Sequence, residues 1–557
     1  MANFYNYVRD GGFLSSDKMK VALNDQSSHR GSTFFAALMR TNVMPEEQLL
    51  QVAAEHFNLK RVSNPYSTEV DFVATEKVVG DVFTAIEQRM FVVHIDGRLT
   101  FVVNDPENDV LHRKAVSALG EEPDYAVVSA EEFDVINQYQ LTPRAISVQA
   151  QQVKSNAGAN ENGRSMENEQ SASYTQKLLN MMIEAALDRR ASDLHIQKLD
   201  DKRAQILFRV DGKIYHFTDV NPDVLPNLRN RLKTMSGVGG ETPNKPVEGQ
   251  ISVPYNGITV DIRINIVQTV NGYDFCFRFI SSHLKTLEEL GLSEANYECY
   301  VNLLHMTKGL VILSGPVGSG KTSLLYAGFK KLLAEHRMVF TIEDPVEIVM
   351  PGVSQIDVKT EAGMSYAERF PSALRHDPDV IGIGETRTTE VGLQAIQAAN
   401  TGHLVFTTLH TNDSVGAISR LVNLGIDPYT LGDVLAAVVA QRLVRRVCVE
   451  CAEEYDLPEN HEWRAKYDLG DGPIKLKRGC GCAACAGTGY RGRIAVNEIM
   501  VCSPKLRNII QKGGTRTEME TVLENEGFKR YLEDAVEKAR EGITTFEEVE
   551  ELARDII

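Results

Sequence analysis

The residues Gly315-Pro316-Val317-Gly318-Ser319-Gly320-Lys321-Thr322 constrain this chain more than any other feature. They complete a G-x-x-x-x-G-K-T pattern between an apolar run, LVIL, and a helically spaced segment, SLLYAGFKKLL. The order strand, glycine-rich loop, helix lets backbone N–H groups curl around a triphosphate at a helix N-terminus. It predicts a mainly parallel α/β domain and an ATP site made by Gly315, Gly318, Ser319, Gly320, Lys321, Thr322 and Ser323. In such a site Lys321 reaches the β- and γ-phosphates and the Thr322 hydroxyl ligates Mg²⁺.

Phosphoryl transfer to water also needs carboxylates that hold Mg²⁺ and orient the attacking water. MVFTIEDPVE offers Glu343, Asp344 and Glu347 after a β-rich run, and DPDVIGIGETR offers Glu385 and Arg387. Ligands bind at the carboxyl ends of strands in parallel α/β folds, so these strand-end carboxylates are candidate functional groups. In TGHLVFTTLHT, His403 and His410 bracket a β-rich run. Imidazoles there could contact the γ-phosphate or its water, the plainer alternative being a structural role.

A chain of 557 residues is too long for one hydrophobic core. Residues 1–145 are expected to form an α+β domain. MPEEQLLQVAAEHFNL reads there as a helix, and FVVHID and LTFVVND as a hairpin turning at Asp96-Gly97-Arg98. Residues 146–172 are poor in apolar side chains and read as a flexible linker. Residues 173–282 read as a small second α/β domain. It comprises an amphipathic helix, a hairpin with Asp211-Gly212 in its turn, and two further strands joined near Asn271-Gly272. Residues 283–557 then alternate strands with helices around the phosphate motif.

The net charge of −17 argues against a general nucleic-acid binder, whose phosphate contacts need a basic surface. No secretory signal opens the chain and no run approaches eighteen apolar residues, so a cytoplasmic location is expected. Five of the eight cysteines cluster, which is a poor disulfide framework. Cys448-x-x-Cys451 and Cys482-x-x-Cys485 give two pairs at the spacing of a four-thiolate Zn²⁺ site, within an insertion at about 445–492. A redox pair or unligated thiols are the alternatives, and Cys480 could replace Cys482 as a ligand.

Taken together, TIEDPVE, RHDPDVIGIGETR, TGHLVFTTLHTND, IDPYTLGDVLAAVVAQRLVRRVC and GITTFEEV resemble the ordered motifs of the secretion-superfamily ATPases, the motors of type II secretion and of type IV pilus assembly and retraction. Upstream, ASDLHI and FRVDG resemble that family's second N-terminal domain, so the likeness runs over about 173–557. It implies a RecA-like P-loop core preceded by a small α/β domain, a homohexamer, and an inner-membrane platform protein as partner. It also implies peripheral association with the inner membrane.

The resemblance further implies that Glu343 polarises the attacking water, Glu385 acts on Mg²⁺ or its water, and His403 and His410 sense the γ-phosphate. Arginines of the second domain reach the nucleotide in this family, and Arg263 and Arg278 match best, Arg209 less well. The cysteine segments resemble the zinc insertion of assembly-type motors, which retraction-type motors generally lack. The expected function is therefore ATP-driven assembly of type IV pilin filaments. The alternatives are pseudopilus assembly in type II secretion, a nucleic-acid translocase, or a degenerate regulatory nucleotide-binding protein.

Three departures stand out. Thr388 occupies the place of the family's usual aspartate, Val317 replaces a more common threonine, and PVEGQIS is looser than the family's segment. HRGSTFFAALMRTNVMPEEQLLQVAAEHF partly resembles the cyclic di-GMP-binding pattern of some pilus motors. It has Arg30-Gly31 but lacks the leucine between them and a second copy, so a docking role for 1–145 is the expectation over cyclic di-GMP binding.

Overall fold

The computed structural model describes residues 3–554 apart from 63–64, 67, 158–165, 239–245, 281–282, 359–365 and 471. The chain divides into two compact units, Met1–Phe279 and Ile280–Ile557.

The first unit holds two sheets. A four-stranded sheet has the order Lys60–Arg61, Asp124–Val127, Arg98–Val102, Phe91–Ile95, and its last two strands form the hairpin expected at Asp96-Gly97. A six-stranded sheet has the order Lys213–Val220, Ala204–Val210, Asp193–Lys198, Gly272–Ile280, Ile258–Thr269, Val247–Tyr255. Its strands alternate as one-sided sheets do: Ile262, Ile264, Phe275 and Phe277 are buried, while Arg263 and Arg278 point the other way.

The expected flexible linker needs correction at both ends, since its last residues, 166–172, begin the helix Met166–Asp188 and its first residues lie in another helix. A helix runs Thr142–Ala157, and Ile146, Ala150 and Val153 are buried against Leu178, Leu179 and Met182. Those three residues recur at helical spacing, a stripe narrow enough to be lost among the glutamines and serines around it. Ser147 Oγ donates to the Asp219 carbonyl at 2.6 Å, fixing this helix to the six-stranded sheet. The middle of the expected linker, 158–165, lies outside the described residues.

The second unit is the nucleotide-type domain. Its strands are β1 (Gly309–Ser314), β2 (Val339–Glu343), β3 (Ser354–Asp357), β4 (Val380–Ile383), β5 (Leu404–Leu409) and β6 (Leu435–Val447). β7 (Ala452–Asp456) and β8 (Lys475–Gly479) pair as a separate hairpin, and β9 (Tyr490–Val501) returns to the main sheet. The main sheet has the order β3-β2-β4-β5-β1-β6-β9, parallel except for β9 against β6. β1 is central and buried throughout: Leu310 and Ile312 join one apolar layer, Val311 and Leu313 the other. That two-sided burial is why LVIL is continuous rather than alternating. This is the RecA-like P-loop core expected from the sequence.

Candidate functional site

The phosphate motif leaves the carboxyl end of β1 and enters the helix Lys321–Ala334, with Gly320 at the N-cap in the left-handed region (φ +86°). The loop is braced from behind by Gln441 on β6, whose Nε2 donates to the Ser319 carbonyl at 2.8 Å. A Cβ on Gly315 would lie 2.5 Å from the Gln441 carbonyl oxygen, so that position admits only glycine. Lys321 Nζ donates to the carbonyls of Gly315 (2.6 Å) and Pro316 (2.9 Å) and lies 3.4 Å from His410 Nδ1. Burial lowers its ammonium to about 8, with Glu385 pulling the other way. The loop itself suits an anion: Ser319 Oγ is buried without a hydrogen-bond partner, and Thr322 stands in the first turn of the helix.

The two glutamates occupy different surroundings. Glu343, the last residue of β2, is buried and accepts from Thr341 Oγ1 (2.7 Å), Gln355 Nε2 (3.1 Å) and the Tyr326 phenol. Glu385 lies just beyond β4 and is more open. Its Oε2 pairs with Arg387 Nε at 2.7 Å and its Oε1 with His410 Nε2 at 3.3 Å. Lys321, His410 and Glu385 therefore form one connected chain at the carboxyl edge of the sheet. His410 thus stands between the lysine and the carboxylate, one ring nitrogen toward each.

His403 does not join it. It precedes β5 whereas His410 follows it, and seven residue steps at ~3.3 Å each place their Cα atoms ~23 Å apart. The His403 carbonyl accepts from Gly309 N at 3.1 Å, at the start of β1, and its side chain faces a cavity with His305, Arg337 and Asp379. The expected γ-phosphate contact by His403 is thus corrected to a place at the amino edge of the sheet. The sequence motif brackets the strand symmetrically, but a strand carries its two ends to opposite edges. Thr388 also finds an explanation: its hydroxyl accepts from Val391 N and caps the helix Thr389–Asn400, a role serine, threonine or aspartate can fill.

The arginines lie in the first unit. Arg278 Nε pairs with Asp193 Oδ1 at 2.9 Å, and Arg209 Nε approaches Asp193 Oδ2 at 3.7 Å. Arg263 stands across from Gln250 on the same outward side of the six-stranded sheet. His195 and Cys276 place ligand atoms beside Asp193. With two guanidiniums on that carboxylate, the trio reads as an ion-pair network rather than a cation site. Arg30 is exposed in the turn before the helix Phe34–Thr41.

Cys448, Cys451, Cys482 and Cys485 come together with all four sulfurs within 4.8 Å of one another. Neighbouring Sγ atoms stand 3.7 Å (448–482), 3.8 Å (451–485) and 3.8 Å (482–485) apart. Four sulfurs at about 2.3 Å from a tetrahedral Zn²⁺ lie ~3.8 Å from each other, whereas a disulfide needs about 2.05 Å. The donor set thus fits zinc. Backbone N–H groups of Gly481, Cys482 and Gly489 point at Cys451 and Cys485 at 3.1–3.3 Å, as they would to thiolates. Burial alone would raise the Cys485 thiol, but the N–H groups of Cys482 and Gly489 outweigh it and hold it below its ordinary value. Cys480 is exposed and outside the cluster, so Cys482 is the member that completes it.

Sequence reasoning missed Tyr326, Gln355 and Gln441. Tyr326 falls on the apolar stripe of its helix and reads as core, and the two glutamines carry no motif. Only the β1–β6 and β2–β3 pairings bring Gln441 and Gln355 to the site.

The sequence profile of the type II/IV secretion system proteins matches residues 168–551. The type IV pilus assembly ATPase PilB of Thermus thermophilus is 35% identical over 389 residues, 69% of this chain and 43% of that protein. The type II secretion system ATPase E of Vibrio cholerae is 34% identical over 382 residues, 68% of this chain and 75% of that protein. Among solved structures, the ATPase DotB of Legionella pneumophila superposes with a TM-score of 0.51 at 22% identity, covering 68% of this chain and 96% of that one. That likeness speaks for the fold alone.

Proposed function

The chain belongs to the type II/IV secretion system protein family, and from that membership we propose that it is a hexameric motor that hydrolyses ATP to assemble type IV pilin filaments. The observation that carries this reading is the Lys321–His410–Glu385 chain beside the buried Glu343 at one sheet edge. When ATP binds, Lys321 exchanges the carbonyls of Gly315 and Pro316 for phosphate oxygens. Thr322 and Glu385 would hold Mg²⁺, which neutralises charge on those oxygens. Glu343 accepts a proton from the attacking water as the water oxygen bonds to the γ-phosphorus. The bond from that phosphorus to the β–γ bridging oxygen breaks, leaving ADP and phosphate. His410, held between Lys321 and Glu385, reports to one group what the other binds.

Arg263 and Arg278 stand on the open face of their sheet, where a neighbouring subunit's nucleotide is the charge they would offset. Residues 1–145 serve in this reading as a docking domain toward a cytoplasmic partner or the inner-membrane platform protein. The zinc-type cluster supports an assembling motor over a retracting one. Among the described residues no helix is long and apolar enough to cross a membrane, so contact with the membrane would run through that platform.

Deletion in the host, complemented by wild type or Lys321→Ala, tests the reading. It expects surface filaments to vanish, pilin to remain in the membrane, and only wild type to restore them. Filaments intact with secretion of a folded enzyme abolished would instead make it a type II secretion motor. Neither defect would overturn the motor assignment.

A further inference from the structure

Glu343 has two oxygens that are not equivalent. Oε1 accepts two donors, Thr341 Oγ1 at 2.7 Å and Gln355 Nε2 at 3.1 Å, which fill its two lone-pair directions. Oε2 accepts the phenol of Tyr326 and, among the described residues, keeps one lone pair open. Tyr326 is 2% exposed and Glu343 6% exposed, so this bond is shielded from water that would compete with it. Tyr326 lies five residues after Lys321 on the helix that opens at the phosphate loop. One rigid helix thus carries both the group that grips phosphate and the donor that fixes the carboxylate.

From this geometry we propose that Tyr326 is a positioning residue for ATP hydrolysis, orienting Glu343 so that Oε2 is the atom that takes the proton of the attacking water. The proposal rests on the reading of Glu343 as the group that polarises water. Tyr326 makes no contact with the reacting atoms in this account. It holds the carboxylate's rotamer through the bond to Oε2. Burial raises the phenol of Tyr326, and so does its neighbour Glu343, so it remains a protonated donor through the working range. The other titratable and charged groups facing this pair are Glu347, Asp344, Tyr366, Glu385 and Arg387. None of these is changed by the substitution that tests the idea.

The test is single-turnover phosphate release on the full chain, comparing wild type, Tyr326→Phe, Glu343→Gln and the double variant. Phenylalanine keeps the ring and removes only the donor. The expected result for Tyr326→Phe is a fall of about tenfold in the rate of phosphate release with ATP affinity within about twofold of wild type. In the Glu343→Gln background the same change should cost less than about twofold, since the two groups act as a unit. An unchanged rate, a loss that lies in ATP affinity instead of the rate, or an undiminished loss in the Glu343→Gln background overturns the proposal. A wild-type rate for Glu343→Gln would instead sink the reading of Glu343, a separate outcome. If Tyr326→Phe fails to fold, a site-specific 3,5-difluorotyrosine at 326 keeps the phenol and strengthens its acidity. The rate of phosphate release should then change by at least about twofold with ATP affinity unchanged, and an unchanged rate would count equally against the proposal.

Discussion

In the phosphate loop Lys321 Nζ donates to two carbonyls of its own loop, whereas in the cysteine cluster four sulfurs already stand at tetrahedral spacing. The first site is closed on itself and must exchange partners to bind. The second needs only the ion. A motor requires that contrast, because a nucleotide has to arrive and leave on every cycle while a structural metal has to stay. The loop's resting contacts set how tightly ATP binds. In the knuckle, N–H···S contacts hold Cys451 and Cys485, two of the four sulfurs that a structural zinc would take.

The strongest way to break this comparison is at the exchanging site. Lys321→Ala should reduce turnover by about 10³-fold or more, since it removes a fixed charge from a water-poor site. Loss of less than about tenfold would mean the lysine's resting contacts are structural and the loop is no working phosphate site. At the permanent site, Cys482→Ser should abolish stoichiometric zinc and destabilise the second unit by at least about 3 kcal/mol, while Cys480→Ser keeps both. Metal analysis and thermal melting read this directly, and equal zinc in the two variants would overturn the ligand assignment.

A subtler prediction concerns pH. The unliganded Lys321 ammonium is lowered to about 8, and a phosphate contact needs it protonated. ATP affinity should be flat below pH 8 and fall by up to about tenfold per unit above it. Stability of the unliganded chain runs the other way. Between about pH 8 and the ordinary lysine value near 10.5, the unfolded chain holds the extra proton, so Lys321 contributes a stability that rises with pH. Lys321→Met should flatten both trends. The histidines give a sharper spatial contrast: His410→Ala should lower turnover about tenfold or more, and His403→Ala should leave ATP affinity within about twofold. The smallest effect is Thr388→Ala, which removes a long cap bond and should cost about 0.5–1 kcal/mol without altering chemistry.

Much of this is legible in the sequence. A glycine loop between LVIL and a helix can do little except hold phosphate, and two Cys-x-x-Cys pairs have few uses besides zinc. Topology pointed to the strand-end carboxylates and the family resemblance to Glu343 and Glu385 among them, while the hairpins at Asp96-Gly97 and Asp211-Gly212 followed from turn chemistry. What escaped was set by tertiary pairing. His403 looked like His410's partner because sequence distance hides that a strand separates its ends. Residues 146–157 looked solvated because three small or branched apolar residues were outnumbered by polar ones. Tyr326, Gln355 and Gln441 matter through neighbours that are 12 to 122 residues away in sequence.

The central claim is that the carboxyl edge of this sheet binds ATP and that the buried Glu343 drives its hydrolysis. Phosphate release by Glu343→Gln, measured in a single turnover beside its equilibrium ATP affinity, addresses both halves at once. The account predicts wild-type ATP affinity with release slowed by at least about 10²-fold. Wild-type release from a variant that still binds ATP would contradict it.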